Sequence, residues 1–187
     1  MKNLFIVFEG LDGSGKTIIA KMLSCELNAL YIQTPLGYYN QVRKLIDTRA
    51  DITEHFLFYL AAVRYASEEI KKLLKQQSVI CDRYLYSTIA YHRALGLTLD
   101  IDINQMNLLV PDYVFFLEIS DKTQLERLAN KKNSKTQADD WIIKQGVFQK
   151  LNQEFKKLPL QIINAENQPE QIVETIKEII QKGELQC

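Results

Sequence analysis

The sequence has no excess of charge of either sign, because Lys and Arg together total 23 and Asp and Glu together also total 23. A protein that binds the backbone of a nucleic acid normally carries a clear basic excess. We therefore expect no nucleic-acid partner. Binding of phosphate groups must depend on a few cationic side chains that the fold places locally.

Cysteine and long apolar runs are also scarce. Cys25, Cys81 and Cys187 show no CxxC spacing, and an odd number of cysteines cannot form a complete disulfide framework. We expect reduced thiols in a cytoplasmic protein. No run of about 18 apolar residues is present to span a bilayer, so no membrane association is expected. The short apolar N-terminal stretch leads directly into a glycine-rich loop, and we interpret it as a first strand rather than a signal peptide.

What the sequence does contain is an alternation of apolar runs with helical periodicity. Strands are predicted at residues 3–9, 30–33, 78–81, 113–119 and 160–163, and helices at 16–27, 38–47, 53–76 and around 172–180. Continuous apolar strands separated by helices are typical of a parallel sheet covered on both faces. The chain therefore predicts a single α/β domain over residues 1–187, three-layered and doubly wound, with a five-stranded parallel sheet.

Two further features of this pattern concern the long helix and a polar stretch. The helix at 53–76 is predicted to present these residues to the core: Phe56, Leu57, Leu60, Val63 and Ile70. The stretch at about residues 129–140 is polar and poor in core residues, which favours a surface loop or lid.

The strongest chemical signal is the segment GLDGSGKT at residues 10–17, which matches GxxxxGK[ST] in full. Its glycines permit backbone angles that let successive N–H groups face phosphate oxygens, and the following helix adds its N-terminal dipole. Lys16 is expected to reach the β- and γ-phosphates of ATP, and the Thr17 hydroxyl to coordinate Mg²⁺. The segment predicts a P-loop NTPase fold with this ATP-binding set: Gly10, Leu11, Asp12, Gly13, Ser14, Gly15, Lys16 and Thr17.

A second signal follows the third predicted strand, where Asp82 and Arg83 come directly after VIC. Ligands of open α/β sheets bind beyond the carboxyl ends of the strands. A carboxylate at that place can hold Mg²⁺, directly or through water, and the arginine beside it offers a fork for a phosphate. An Asp-Arg pair alone is a weak motif, but together with a P-loop it favours a metal and phosphate site.

Five segments in this order resemble the thymidylate kinase family of P-loop nucleoside-monophosphate kinases. They are FEGLDGSGKT at 8–17, LAAVR at 60–64, DRY at 82–84, STIAY at 87–91 and PD at 111–112. The resemblance implies transfer of the γ-phosphoryl group of ATP to dTMP, giving dTDP and ADP, with Mg²⁺ as cofactor. It also implies a homodimer. Without the resemblance, a lone helical arginine such as Arg64 is usually solvated and would indicate no site.

The resemblance also implies roles for single residues. Asp12 would face the 3′-hydroxyl of the deoxyribose, and Arg83 would hold the acceptor phosphate or the phosphates in transit. Arg64 would contact the base edge, Thr88 would lie near the base, and Tyr91 would fill the place of a ribose 2′-hydroxyl. The implied acceptor-binding set is Asp12, Arg43, Leu60, Arg64, Arg83, Ser87, Thr88 and Tyr91.

Several positions depart from the family pattern. The family usually has an arginine in the loop after the second strand, but residues 33–37 here are QTPLG and contain no cation. Arg43, on the next helix, is the nearest replacement. Leu60 stands where the family has a phenylalanine that stacks on the base, and His92 replaces a glutamine.

The lid differs as well. Family members without an arginine inside the P-loop, as here with Ser14, typically supply a catalytic arginine from the lid. The cations available are Lys131, Lys132 and Lys135, with Arg127 just before them. We expect Arg127 or one of these lysines to close onto the phosphates. The predicted catalytic set is Lys16, Arg83, Asp12 and Arg127, and the predicted metal ligands are Thr17 and Asp82.

Two alternative functions stay open at this point. A deoxynucleoside kinase would need a carboxylate base near a 5′-hydroxyl, for which Glu9 or Asp82 could serve. A nucleotide-binding protein without catalytic activity is the other alternative, suggested by Leu60 and by the missing arginine in residues 33–37.

Overall fold

The computed structural model describes residues 2–99, 101–130 and 147–184, which form five strands and seven α-helices. The strands are β1 (Phe5–Gly10), β2 (Leu30–Gln33), β3 (Val79–Asp82), β4 (Tyr113–Glu118) and β5 (Gln161–Asn164). The helices are α1 (Lys16–Glu26), α2 (Gly37–Arg49), α3 (Ile52–Leu73), α4 (Leu85–Ala94), α5 (Asp121–Asn130), α6 (Val147–Lys156) and α7 (Pro169–Glu184).

The sheet is parallel throughout, with the strand order β2-β3-β1-β4-β5. This confirms the predicted α/β class and the five-stranded parallel sheet. Strand β1 lies at the centre, and its Phe8 is in register with Asp82 of β3. Because parallel strands end at the same edge, the loop after β1 and the last residue of β3 are neighbours there.

The core lies on both faces of this sheet, because successive residues of a strand point to opposite faces. On one face, Ile6 and Phe8 pack with buried residues of α1 and α7. On the other, Phe5 and Val7 pack with buried residues of α3. A third cluster joins α4 and α6 to β4 through Phe116. The apolar residues on which the last helix was predicted also lie in the first cluster, as buried or partly buried side chains: Ile172, Val173, Ile176, Ile179 and Ile180.

Helix α3 begins at a capping box. Asp51 accepts hydrogen bonds from the backbone N–H groups of Thr53 and Glu54, and the Glu54 side chain accepts from the N–H of Asp51. The helix buries Phe56, Leu60, Val63 and Ile70, as predicted. The expectation for Leu57 is wrong, since 47% of this residue is exposed. Each residue turns about 100° around a helix, so the neighbour of Phe56 leaves the buried side.

The observed ends of the predicted elements differ from the predicted ends by four residues or fewer, since the ends of elements are what a sequence pattern locates least precisely. The difference that matters for the site is at β3, which was predicted to end at residue 81 and extends to Asp82. Of the predicted lid, residues 129 and 130 close helix α5, and residues 131–140 lie outside the described residues. None of the described helices combines the length and the apolar character that crossing a membrane requires.

Candidate active site

The P-loop connects β1 to α1 through a turn that needs glycine at two positions. Gly10 has φ of 148°, and a Cβ there would lie 2.9 Å from the Ser14 hydroxyl oxygen and 3.0 Å from the Leu117 carbonyl oxygen. Gly15, the N-cap of α1, has φ of 88° in the left-handed region. These angles are open to glycine at no steric cost. The loop therefore reaches the N-terminus of α1, where helix N–H groups favour an anion.

Lys16 is the first residue of α1 and is only 5% exposed. Its ammonium donates to the Leu11 carbonyl at 2.6 Å and to the Ser14 hydroxyl at 3.4 Å. Burial, followed by the charge of Arg83, lowers the pKa of Lys16 to about 8, against the raising effect of nearby carboxylates. The side chain is thus folded back over its own loop, within a cationic environment suited to phosphate.

Asp82, at the end of β3, contacts the start of α1. The Thr17 hydroxyl donates to Oδ2 of Asp82 at 2.6 Å, and the Tyr31 hydroxyl donates to the same oxygen at 3.3 Å. Oδ1 of Asp82 is buried and has no hydrogen-bond partner among the described residues. Burial, followed by the negative charge of Asp82, raises the pKa of Tyr31 to about 12. A hydroxyl beside a carboxylate with a free oxygen is a donor set that fits Mg²⁺.

The backbone of Arg83 adopts an uncommon conformation, with φ of 69°. A non-glycine residue in this region costs about 1–3 kcal/mol and persists only where its surroundings hold it. Here the Arg83 N–H donates to the Phe8 carbonyl at 2.9 Å, and the Arg83 carbonyl accepts from the Thr34 hydroxyl at 2.8 Å. These contacts aim the side chain away from the sheet and toward the P-loop.

The guanidinium of Arg83 joins the P-loop to α4. One terminal nitrogen, Nη1, donates to the Gly10 carbonyl at 3.1 Å and to the Ser87 hydroxyl at 3.0 Å. The other, Nη2, donates to Oδ1 of Asp12 at 2.6 Å and to the Tyr91 hydroxyl at 3.3 Å. The structure thus brings together four residues that the sequence analysis assigned to the site: Asp12, Arg83, Ser87 and Tyr91.

Glu9 is fully buried behind this cluster. Its carboxylate accepts from the backbone N–H of Tyr84 at 3.1 Å and from the Ser87 hydroxyl. Burial raises the pKa of Glu9, against the lowering effect of these bonds and of the Arg83 charge. Both oxygens of this carboxylate are therefore used inside the protein, where they orient Ser87 and the start of α4.

The remaining acceptor residues are more dispersed. Leu60 and Thr88 are 4% and 5% exposed. Arg64 forms an ion pair with Glu68 one turn along α3, and 38% of its side chain is exposed. The structure places this guanidinium beside Glu68 rather than in the Arg83 cluster.

Arg43 of α2 forms an ion pair with Asp47, with Nε 3.6 Å from Oδ2. The Asp47 carboxylate also accepts from the Tyr59 hydroxyl at 2.8 Å. Burial and the charge of Asp47 raise the pKa of Tyr59, whereas the charges of Arg43 and Arg83 both lower it. Asp47 thus connects Arg43 of α2 to Tyr59 of α3.

Arg127 of α5 lies against the P-loop from the opposite side. Its guanidinium donates to the Gly13 carbonyl at 3.3 Å and to the Ala165 carbonyl at 3.2 Å. The buried Gln124, one turn earlier, donates to the Asp12 carbonyl at 2.8 Å. Helix α5 therefore supports the P-loop at two points. Lys131, Lys132 and Lys135 lie outside the described residues.

Sequence reasoning missed Gln124, Tyr31 and the contact between His55 and His92. No local motif marks Gln124 or Tyr31, since each meets the site through a contact distant along the chain. The two histidines did carry a signal: the chain has no others, and His92 already departs from the family pattern.

Comparison with known proteins gives a consistent result. The family model described as thymidylate kinase matches residues 8–176. A probable thymidylate kinase from Methanococcus aeolicus is 32% identical over 195 residues, covering 96% of this chain and 95% of that protein. One from Methanocaldococcus jannaschii is 38% identical over 135 residues, covering 69% of this chain and 71% of that protein.

A solved structure agrees at the level of the fold. Thymidylate kinase from Candida albicans superposes with a TM-score of 0.78 at 24% identity, covering 98% of this chain and 93% of that one. Its P-loop fold therefore extends over nearly the whole of the present chain. The family match spans β1 to α7, and so includes the P-loop, Asp82 and the Arg83 cluster. On these grounds the chain belongs to the thymidylate kinase family.

Proposed function

We propose that this protein transfers the γ-phosphoryl group of ATP to dTMP, giving dTDP and ADP. Family membership supports this reaction. The observation that carries it is the position of Arg83, whose one guanidinium contacts the P-loop at Gly10 and Asp12 and the acceptor wall at Ser87 and Tyr91. A planar fork at this junction suits two phosphate groups that must meet in line.

On the donor side, the P-loop N–H groups and Lys16 hold the phosphates of ATP. Lys16 reaches them by exchanging its contact with the Leu11 carbonyl for phosphate oxygens. Thr17 and Asp82 would hold Mg²⁺, since both offer oxygens and Oδ1 of Asp82 is buried with no partner among the described residues. Mg²⁺ bound there supplies neutralisation of the phosphate charge.

On the acceptor side, Arg83 and Arg43 hold the phosphate of dTMP. Asp12 orients both the Arg83 fork and the 3′-hydroxyl, and Tyr91 excludes a 2′-hydroxyl. Ser87 and Thr88 of α4 line the acceptor wall, and on α3 Leu60 lies against the base while Arg64 leaves Glu68 to reach the base edge. These roles come from the family resemblance, and the clustering of Asp12, Ser87 and Tyr91 around Arg83 supports them.

Arg127, just before the predicted lid, lies at the P-loop and would act on the transferring phosphoryl group. Its bonds to the Gly13 and Ala165 carbonyls already hold the guanidinium at the P-loop. Preorganised charge of this kind stabilises a transition state without reorganisation during the reaction.

The acceptor in this reaction is a phosphate oxygen, so no general base is needed. This agrees with the state of the two carboxylates that a hydroxyl acceptor would require. Both oxygens of Glu9 accept hydrogen bonds, from Tyr84 and Ser87, and Asp82 accepts from Thr17 and Tyr31 through Oδ2, which leaves Oδ1 for Mg²⁺. The arrangement thus favours a monophosphate acceptor over a free nucleoside.

We further propose a cytoplasmic homodimer. The cysteine pattern supports the cytoplasmic location, and the family resemblance supports the homodimer. Exposed apolar side chains on α2 and α3, Val42, Leu45 and Leu57, support a contact with a second copy. Light scattering of the purified protein tests the dimer.

The test of the reaction is ADP release from ATP and Mg²⁺ with each of dTMP, dUMP, dCMP, AMP, UMP and thymidine. Dominant turnover with dTMP is expected. Turnover of thymidine but not dTMP would establish a nucleoside kinase, and ATP binding without turnover of any acceptor would establish a non-catalytic protein.

A further inference from the structure

The two histidines of this chain contact each other across two helices. Nδ1 of His55, on α3, lies 2.8 Å from Nε2 of His92, on α4. His92 is 2% exposed, and the other nitrogen of its ring, Nδ1, lies 2.6 Å from the Thr88 carbonyl oxygen. Since a carbonyl only accepts, His92 carries its proton on Nδ1.

The proton on Nδ1 of His92 also determines which nitrogen of His55 carries a proton. Burial lowers the pKa of His92 to about 4, so its ring is neutral at ordinary pH. Its Nε2 is then an acceptor, and the contact with His55 is made by a proton on Nδ1 of His55.

The far side of His55 meets a carboxylate. Nε2 of His55 lies 3.2 Å from Oδ1 of Asp47, which also accepts from the Tyr59 hydroxyl. Burial raises the pKa of Asp47, but the bonds from His55 and Tyr59 and the charge of Arg43 outweigh it, and the pKa lies below its ordinary value. A carboxylate donates nothing, so this contact needs a proton on Nε2 of His55. Both contacts are complete only when His55 carries two ring protons.

These contacts form a line from Thr88 through His92 and His55 to Asp47. The line ends at residues placed in the acceptor site. At one end is Thr88, and at the other Asp47 holds the Arg43 guanidinium, 3.6 Å away. The titratable groups around His55 come from three helices. Asp47 of α2, Tyr59 of α3 and His92 of α4 contact its ring, and Arg43 of α2 is paired with Asp47. The line therefore ties α2 to the α3–α4 pair at the level of Arg43.

We infer that His55 is a positioning residue for the acceptor phosphate, and that its ring, held between His92 and Asp47, fixes α2 and with it Arg43. This inference rests on the proposed function and adds to it the means by which a cation on α2 replaces the arginine missing from residues 33–37. Loss of the contact between His55 and Asp47 breaks the tie between α3 and α2. Affinity for dTMP then falls, while affinity for ATP does not.

The first experiment needs no activity. With two histidines in the chain, ¹⁵N NMR of the whole protein resolves both rings. We expect His92 to hold its proton on Nδ1 at neutral pH, and Nδ1 of His55 to donate to Nε2 of His92. A proton on Nε2 of His92 would overturn the arrangement.

The second experiment compares two variants that each keep one half of the contact. His55→Gln places an N–H₂ group where Nε2 was, so the bond to Asp47 persists without titration. His55→Asn places it where Nδ1 was and loses Asp47. Relative to the unaltered protein, we expect His55→Asn to raise the KM for dTMP by roughly fivefold, the scale of a partly exposed ion pair.

For His55→Gln we expect a KM for dTMP close to that of the unaltered protein, because the bond to Asp47 is kept. The KM for ATP should stay the same in all three proteins, and melting temperatures check that both variants fold. An unchanged KM for dTMP in His55→Asn, or an equal rise in both variants, overturns the positioning role. Absence of dTMP turnover in the unaltered protein overturns the proposed function with it, and the NMR result identifies which part of the proton arrangement stands.

Discussion

The donor and acceptor halves of the site differ in how far apart their residues lie along the chain. The donor half is the P-loop, residues 10–17, completed by Asp82 at the end of the neighbouring strand. The acceptor half is spread over α2, α3 and α4, from Arg43 to Tyr91. In the proposed function, backbone groups of one turn bind ATP in the first half, and side chains of three separate helices bind the acceptor in the second. A contiguous turn tolerates little change, whereas dispersed side chains can be replaced one at a time, as Arg43, Leu60 and His92 illustrate.

The largest effect is expected from removing the donor cation. Lys16→Ala should lower the turnover number by about 10²–10³-fold, because a buried charge that faces the transferring phosphates is lost. ADP release under saturating substrates measures this. Lys157→Ala is the control, since Lys157 pairs with Glu154 on the surface of α6. Near-normal turnover of Lys16→Ala with an intact fold would contradict the P-loop assignment.

The second effect concerns the metal ligand. Asp82→Asn should lower turnover by about 10²-fold and raise the Mg²⁺ concentration needed for half-maximal rate, since a neutral amide is a poorer ligand for Mg²⁺ than a carboxylate. The amide oxygen still accepts from Thr17 and Tyr31, so the fold should persist. Asp47→Asn, in the acceptor half, should leave the Mg²⁺ requirement unchanged. The same Mg²⁺ curve for both variants would remove Asp82 from the metal site.

A third variant addresses the residue that belongs to both halves. Arg83→Lys keeps the charge but cannot contact Gly10, Asp12 and Ser87 at once, because an ammonium lacks the planar fork. We expect kcat/KM for dTMP to fall by about 30- to 100-fold, that is by about 2–3 kcal/mol. Steady-state kinetics with each substrate varied in turn measure it. A loss confined to the KM for ATP would assign Arg83 to the donor half alone.

The smallest effect lies wholly in the acceptor half. Arg43→Ala should raise the KM for dTMP by about tenfold, which corresponds to about 1.4 kcal/mol, with the KM for ATP unchanged. Arg49→Ala, six residues later on the same helix, is the matched control. If both variants behave alike, Arg43 does not hold the acceptor phosphate.

The same contrast explains what the sequence could predict. The sheet was predictable because its strands are continuous apolar runs, and the P-loop because consecutive residues specify it. The place of Asp82 at the edge of the sheet was predictable because it follows an apolar strand, and ligands of such sheets bind at the strand ends. The left-handed backbone of Arg83 left no trace in the sequence, since it depends on the Phe8 carbonyl and the Thr34 hydroxyl.

The acceptor half was less predictable for a physical reason. Whether His55 meets His92, or Arg64 meets Glu68, depends on the rotation and crossing of helices, and that depends on packing over the whole domain. Leu57 shows the size of the error, because one position along α3 changes a buried side chain into an exposed one. Gln124 lies 112 residues from the Asp12 carbonyl that it supports, beyond any local pattern.

The central place of β1 has a consequence for folding. Phe5 pairs with Val79 on one side, and Ile6 with Tyr113 on the other, so both neighbours of the first strand come from much later in the chain. Pairings this remote form slowly, because a long loop must close before any contact is gained. The P-loop, which follows β1 directly, therefore takes its place beside Asp82 and Leu117 only when both of these pairings have formed.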